Sequence, residues 1–92
     1  LILLTGGHAA SAALYRNLRF DPVRDFAFIS TVSVFPFVLA TAIDGPITDI
    51  PTLIARARAA PGSVTFSSVG VGSTQHLTGE LLAQMTGVEL TH

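Results

Sequence analysis

The sequence predicts an α/β fold with parallel-rich sheets joined by crossover helices. Short apolar runs alternate along the chain with segments whose apolar residues recur at helical spacing. Twice, at Thr5–Ser11 and at Ser67–Thr74, an apolar run leads into a glycine- and hydroxyl-rich loop and then into a residue that can cap a helix. Parallel strands need crossover connections of this kind, and these are usually helices.

The composition indicates a piece of a longer protein. Charged residues make up 12% of the 92 residues and apolar residues 49%, whereas an ordinary soluble domain carries about 25% charged residues. A small domain with this ratio has too little polar surface to cover itself. We therefore expect a fragment whose apolar faces meet other parts of the same protein.

Charge and residue content exclude several classes of protein. Five arginines, no lysines and a net charge of −1 provide no basic patch for nucleic acid. The absence of cysteine excludes disulfides and thiolate metal sites. The three histidines lack metal-ligand spacing, so no metal is predicted.

The first quarter of the chain is predicted to contain a strand, a loop and a helix. Leu1–Leu4 is typical of a short buried strand, and Thr5–His8 of a strand-to-helix loop. Ser11 can cap a helix at Ala12–Leu18. Asp21 followed by proline predicts a single capped helical turn.

The stretch Phe26–Ile43 contains 18 residues without a charge, which reaches the threshold for a membrane-spanning helix. Pro36 lies at its centre, and β-branched and aromatic residues dominate it. Two buried strands, at Ala27–Val34 and Phe37–Thr41, explain these residues better, and the spanning helix is the alternative.

The remaining elements form a helix–strand–helix–strand series. After a turn at Asp44–Pro46, Asp49 can cap a helix in which Pro51 falls in the first turn. This helix carries one apolar stripe, at Ile50, Leu53, Ile54 and Ala57. A strand is predicted at Val64–Phe66. After the second loop come a helix that ends near Gly87 and the start of another strand; the helix bears an apolar stripe at Leu77, Leu81 and Met85.

Both glycine–hydroxyl loops are candidates for binding an anion. Ligands of α/β sheets collect at the carboxyl ends of strands. The free N–H groups and partial positive charge of a helix start favour a carboxylate or phosphate there. Gly70 and Gly72 would let the backbone approach such an anion, and nearby hydroxyls add donors. The alternative is structural, with Ser73 or Thr74 only capping a helix.

Motifs of enzymatic chemistry are weak or missing. The sequence GVGSTQ has two glycines of a dinucleotide fingerprint and lacks the third. Neither an ATPase-type phosphate loop nor a hydrolase nucleophile elbow is present, and the carboxylates are scattered. We expect no catalytic residues and no cofactor. A fragment of an α/β enzyme that binds a phosphate or nucleotide at the glycine-rich loop is the alternative, and a purely structural domain is a third.

Two segments resemble the substrate-binding proteins of tripartite tricarboxylate transporters, the Bug family. They are GHAASAALYRNLRFDPVRDFAFIS (Gly7–Ser30) and SSVGVGSTQHLTGELLAQMTGVELTH (Ser67–His92). The family pattern runs His-Ala-x-Asn-Pro-x-Leu-Tyr, Tyr-Asp-Pro-x-x-Asp-Phe-x-Pro and Ser-Ser-x-Gly-x-Gly-Ser-x-x-His-Leu-x-x-Glu. Ser11-Ala12 departs from its Asn-Pro, and Gly6 and Ala9-Ala10 could alter which solute fits.

The resemblance implies a periplasmic, non-enzymatic protein that delivers a small carboxylate to a membrane permease. Its fold would be a type II-like periplasmic binding protein with two α/β lobes hinged around the solute. Residues 1–35 would belong to the first lobe and residues 36–92 to the second, with the hinge near 34–38. Dicarboxylates, citrate-like acids, aromatic acids and acidic amino acids all remain possible solutes.

In this scheme both lobes contribute ligand-binding residues. The first lobe would supply Thr5, Gly6, Gly7 and His8. The second lobe would supply an anion nest of Ser68, Gly70, Gly72, Ser73 and Thr74, with His76 as a further contact.

Overall fold

The chain folds into three helices and two short strands. The computed structural model describes all 92 residues. In chain order the elements are α1 (Gly6–Leu14), α2 (Ile50–Ala59), β1 (Val64–Thr65), α3 (Thr74–Thr86) and β2 (Leu90–Thr91). The strands are parallel, with Val64 opposite Leu90 and Thr65 opposite Thr91. Because α3 crosses between them, the predicted α/β fold with parallel strands joined by a crossover helix is confirmed for this half of the chain.

Helix α2 forms as its capping and apolar pattern predict. The Asp49 carboxylate accepts a hydrogen bond from the Thr52 N–H at 2.8 Å, and Pro51 lies in the first turn. Leu53 and Ala57 supply the buried face, with exposed fractions of 6% and 1%. The helix thus packs through Leu53 and Ala57 of its predicted stripe, whereas Ile54 is half-buried and Ile50 is 43% exposed.

Removing the Asp49 cap should destabilise α2 in a pH-dependent way. Hydrogen bonds from the Thr52 side chain and backbone N–H lower the pKa of Asp49 because they favour its charged form. The stabilisation is therefore present above the ordinary value of 3.8 and is lost as the pH falls through the lower folded-state pKa.

We expect Asp49→Ala to lower the melting temperature of the full-length protein by a few degrees at pH 7. Circular dichroism melts should show this difference shrinking toward pH 3. Asp49→Asn, a neutral cap, is the control and should keep most of the stability. A difference between wild type and Asp49→Ala that is constant from pH 7 to pH 3 would contradict the argument.

Helix α3 packs against the Phe66 ring at Gly79, so no large side chain lies at the centre of this contact. Its N-cap Ser73 accepts the His76 N–H at 3.1 Å, and it ends at Gly87, whose φ is +64°. Gly79 lies so close to the Phe66 ring that a Cβ there would be 2.7 Å from the ring's Cζ atom. Of its predicted apolar stripe, Leu77 is half-buried, whereas Leu81 and Met85 are 52% and 79% exposed.

The strands predicted in the first half of the chain are wrong. Residues 1–4, 27–34 and 37–41 have no regular secondary structure, and Ile29 and Val38 are 85% and 84% exposed. A strand must pair its backbone N–H and C=O groups with a neighbouring strand. None of these segments has such a neighbour, so their β-branched residues do not form a sheet.

Helix α1 begins at Gly6, earlier than the predicted start at Ala12. Thr5 holds the N-cap position, so Gly6–His8 form the first turn and not a loop. Ser11 lies inside the helix, and its hydroxyl donates to the His8 carbonyl at 2.6 Å. Alanines on both sides of Ser11 favour the helix more strongly than serine favours a cap.

The predicted turns are confirmed. The Asp21 carboxylate accepts the Val23 and Arg24 N–H groups at 2.8 and 2.9 Å, and the Asp25 N–H donates to the Asp21 carbonyl at 3.2 Å. The Gly45 N–H donates to the carbonyl of residue 42 at 2.9 Å. Local hydrogen bonds of this kind form without tertiary support.

Most apolar side chains of the chain are exposed. Only Pro22, Leu53 and Ala57 are buried. The radius of gyration is 16.4 Å, against about 12 Å for a compact domain of this length. This exposure agrees with the uncovered apolar faces expected from the composition.

None of the helices has the length and apolarity that crossing a membrane requires, and residues 26–43 form no helix at all.

Candidate functional site

The first turns of α1 and α3 lie against each other. A Cβ on Gly6 would be 2.9 Å from the Cγ2 of Thr74, and a Cβ on Gly7 would be 4.0 Å from the Gly72 carbonyl oxygen. The two glycine–hydroxyl segments, separated by some sixty residues in the sequence, therefore meet at one point. Two helix N-termini converge there.

Four backbone N–H groups at this junction make no hydrogen bond within the chain. They belong to the first two residues of each helix, Gly6 and Gly7 in α1 and Thr74 and Gln75 in α3. Each helix N-terminus carries about half a positive charge. Together the two ends offer about one positive charge and four free donors, which suits an anion.

A cleft of about 200 Å³ opens beside the junction. Its polar side is lined by Thr5, Gly7, Ser73, Thr74 and Gln75, and its apolar side by Phe35, Phe37 and Val69. The Phe35 and Phe37 rings are perpendicular, with centroids 5.9 Å apart. No side chain that carries a charge lines this cleft.

The glycine loop before α3 uses its own amides internally. The Gly70 N–H donates to the Ser68 hydroxyl at 3.1 Å, and the Gly72 N–H donates to Nδ1 of His76 at 3.3 Å. The Ser73 hydroxyl donates to that of Ser68 at 3.3 Å. These bonds hold the loop in shape, so Ser68, Gly70 and Gly72 position the start of α3 and do not line the cleft.

Gly72 itself requires glycine for the backbone. Its φ is +82°, and a Cβ there would lie 3.1 Å from Cδ1 of Leu14. A larger residue would strain the loop whether or not a ligand binds, so substitutions at Gly72 test folding and not ligand contact.

The two predicted histidine contacts lie away from the cleft. Nε2 of His8 is 2.7 Å from the Pro22 carbonyl oxygen, and its ring packs edge-on against Phe26 at 4.7 Å. His8 therefore ties α1 to the Asp21 turn. The side chain of His76 is 16% exposed; it lies beneath the glycine loop, with Nε2 3.6 Å from a Glu80 carboxylate oxygen.

His92 completes the polar cluster beneath the loop. Its Nε2 lies 2.7 Å from the Ser68 hydroxyl, and its ring centroid is 4.3 Å from that of His76. The Phe66 ring lies 5.0 Å from the His92 ring. This cluster links β1, β2 and the start of α3, so the sheet supports the loop directly.

Comparison with known proteins assigns the chain to a family. Residues 2–92 match the family model described as the tripartite tricarboxylate transporter family receptor. The chain belongs to this receptor family. The match covers both glycine–hydroxyl segments and the α3 crossover of the receptor, and it confirms the resemblance seen in the sequence.

Relatives of the receptor occur in several bacteria. The receptor is 39% identical over 76 residues to a UPF0065 protein in the gbd 5' region of Cupriavidus necator, covering 83% of this chain and 23% of that protein. It is 32% identical over 92 residues to a UPF0065 protein in the tcbD-tcbE intergenic region of Pseudomonas sp. strain P51, covering 100% and 27%.

A third relative, protein BugT of Bordetella pertussis, is 30% identical over 82 residues, covering 89% of this chain and 25% of that protein. The chain thus spans about a quarter of the length of the curated relatives it matches. No solved structure matches the receptor.

Sequence reasoning missed part of the cleft lining of the receptor. Phe35 and Phe37 were expected to lie in or beside buried strands, and Val69 was not considered. Gln75 could be found from the sequence, because it follows Thr74 in the first turn of a predicted helix. The position of Phe35 and Phe37 at the cleft could not be predicted, because no sequence periodicity marks a residue that lies near the start of a distant helix.

A larger groove of about 920 Å³ runs beneath the receptor's sheet. Core side chains such as Leu53, Leu82 and Leu90 line most of it. More than half of its lining residues are apolar, so we interpret it as the uncovered core of the receptor and not as a ligand site.

Proposed function

We propose that this receptor captures a small carboxylated solute outside the cytoplasm, in the periplasm, and delivers it to the membrane permease of a tripartite transporter. The observation that carries the proposal is the convergence of two helix N-termini, with four free N–H groups, beside a cleft that no charged side chain lines. Family membership supports the receptor role.

Binding would rest on backbone amides and hydroxyls. The amides at the starts of α1 and α3 would receive the carboxylate as preorganised donors once the two helix starts lie together. The hydroxyls of Thr5 and Thr74 lie at the same cleft and add neutral donors. No bond is made or broken in this scheme, so the protein acts as a carrier and not as an enzyme, and it needs no cofactor.

The same junction suits closure of two lobes around the solute. In the proposed arrangement α1 belongs to the first lobe (1–35) and α3 to the second (36–92), with the hinge near 34–38. Phe35 and Phe37 of this hinge line the cleft. A solute that contacts both helix starts binds the closed form better than the open form and so shifts the population toward closure. The permease could then recognise the closed form.

The test compares two substitutions at the N-cap of α3 in the full-length protein. Ser73→Asp keeps an acceptor for the His76 N–H but places a negative charge at the helix start. Ser73→Asn is the matched neutral cap. The charge should repel a carboxylate at about 5 Å and weaken its binding about a hundredfold by isothermal titration calorimetry, whereas Ser73→Asn should bind like wild type.

The probes are acetate, succinate, citrate, phenylacetate and inorganic phosphate at low ionic strength. The solute-free melting temperature of Ser73→Asp should equal or exceed that of wild type, because a carboxylate favours a helix N-terminus. The proposal fails if no carboxylate binds wild type, or if Ser73→Asp and Ser73→Asn bind carboxylates equally well. Binding of phosphate alone would favour the phosphate-binding enzyme instead.

A further inference from the structure

Two histidine rings lie beneath the glycine loop, Ser68–Ser73, and each contacts a donor of that loop. Nδ1 of His76 is 3.3 Å from the Gly72 nitrogen, and Nε2 of His92 is 2.7 Å from the Ser68 hydroxyl oxygen. The two ring centroids are 4.3 Å apart, and the rings meet edge to face. The side chain of His76 is 16% exposed, so other groups of the chain surround most of this ring.

The bond to Gly72 determines which form of His76 the loop requires. A backbone N–H can only donate, so Nδ1 must accept and cannot carry a proton. The neutral ring therefore carries its proton on Nε2, which lies 3.6 Å from a Glu80 carboxylate oxygen. A second proton on this ring would have to bind Nδ1, where it would point at the Gly72 N–H.

The hydrogen bonds of Ser68 assign the same role to His92. The Ser68 hydroxyl accepts from the Gly70 N–H and the Ser73 hydroxyl at 3.1 and 3.3 Å, and these bonds use both of its lone pairs. Its single proton is left to donate, and Nε2 of His92 at 2.7 Å is a closer acceptor than the Gly70 carbonyl at 3.1 Å. Neutral His92 thus also accepts a hydrogen bond from the loop.

Protonation of these rings would oppose the loop in two ways. An imidazolium has two N–H donors and no acceptor, so it cannot keep a bond from a loop donor. Two imidazoliums at this distance would also repel each other. From α3 the pair faces the Glu80 carboxylate, whose side chain is 52% exposed, so an ion pair with it is screened by solvent and offsets little. From β1 the pair faces Phe66, which does not titrate.

We infer that the glycine loop contains a pH-sensitive switch, in which neutral His76 and His92 hold the loop and their protonation releases it. Histidine is the side chain whose charge ordinarily changes between pH 5 and 8. The loop is held at the upper end of this range and released at the lower end, because protonation removes the two acceptors. His8 differs, since its Nε2 donates to the Pro22 carbonyl, a bond that an imidazolium keeps. The inference concerns the loop itself and does not depend on the proposed function.

Nitrogen-15 NMR of the histidine rings in the full-length protein tests the proton positions directly. At pH 8 the ring of His76 should be protonated on Nε2 and that of His92 on Nδ1. A proton on Nδ1 of His76, or on Nε2 of His92, at this pH would overturn the inference.

Amide hydrogen exchange measures the release of the loop. Relative to an unstructured peptide at the same pH, the protection of the Gly72 N–H should fall about three- to tenfold from pH 8 to pH 5, as expected for the loss of one hydrogen bond. The Phe66 N–H donates to the Thr91 carbonyl at 2.9 Å in the sheet, and its protection should change little. Equal protection of Gly72 at the two pH values, or a parallel loss at Phe66, would contradict a local switch.

The variant His76→Asn is the matched form that does not titrate. The asparagine Oδ1 can replace Nδ1 as the acceptor for the Gly72 N–H, and an amide gains no proton in this pH range. The protection of Gly72 in this variant should therefore stay constant between pH 8 and pH 5. A fall as large as that of wild type would show that another group releases the loop, and the role of His76 would be wrong.

Discussion

Replacing Gly79 with alanine is expected to destabilise the receptor by about 1–3 kcal/mol, although the same change in an exposed helix stabilises a protein by about 1 kcal/mol. The new Cβ would lie 2.7 Å from Cζ and 2.9 Å from Cδ2 of the Phe66 ring. The ring cannot move aside freely, because it packs against His92 at 5.0 Å and faces His76 at 6.2 Å.

Urea unfolding of the full-length protein measures this effect, and a double-mutant cycle assigns it. Phe66→Leu removes part of the ring, so Gly79→Ala should cost less in that background, and the two substitutions should couple. An increase in the free energy of unfolding for Gly79→Ala alone would show that α3 does not pack on Phe66 as described.

Replacing Gly6 with alanine is expected to weaken carboxylate binding by roughly tenfold to a hundredfold. Its Cβ would lie 2.9 Å from Cγ2 and 3.2 Å from Oγ1 of Thr74. Relief of this overlap requires the Thr74 side chain to rotate or the two helix starts to separate, and either change alters the position of the donors beside the cleft. The backbone of Gly6 is helical, so alanine itself fits the conformation.

The matched control removes the atom that overlaps. In Gly6→Ala combined with Thr74→Ser, Cγ2 is gone while the hydroxyl remains, so affinity should recover toward that of Thr74→Ser alone. Calorimetry on the full-length protein with the tightest carboxylate of the panel gives the comparison. Equal affinities for wild type and Gly6→Ala would sink the idea that the contact between Gly6 and Thr74 shapes the site.

Elements with local hydrogen-bonding signals were predicted well. The Asp49 cap and the Pro51 position mark the start of α2, and Leu53 and Ala57 mark its buried face. The α3 crossover between β1 and β2 was also predicted, because Ser73 caps the helix and Gly87 ends it. These capping and helix-ending residues lie within a few residues of the helix ends that they define. The sequence therefore predicts such helix ends without knowledge of the tertiary structure.

Elements that depend on a distant partner were predicted poorly. Residues 27–34 have strand composition but find no neighbouring strand, and they stay unpaired. The ligand contact of His8 stays a prediction, and the packing of its ring with Phe20 and Phe26 was not predicted.

The sequence alone predicts the family, the parallel crossover and the candidate anion-binding segments. The local elements can be predicted in this way because caps, glycines and turns act on their immediate neighbours. Tertiary packing alone brings the start of α1 against the start of α3 and puts an aromatic pair at the same cleft. It also commits the Gly70 and Gly72 amides to Ser68 and His76. The physical reason is that unpaired amides from two helices form a candidate binding site only when chain segments far apart in sequence meet.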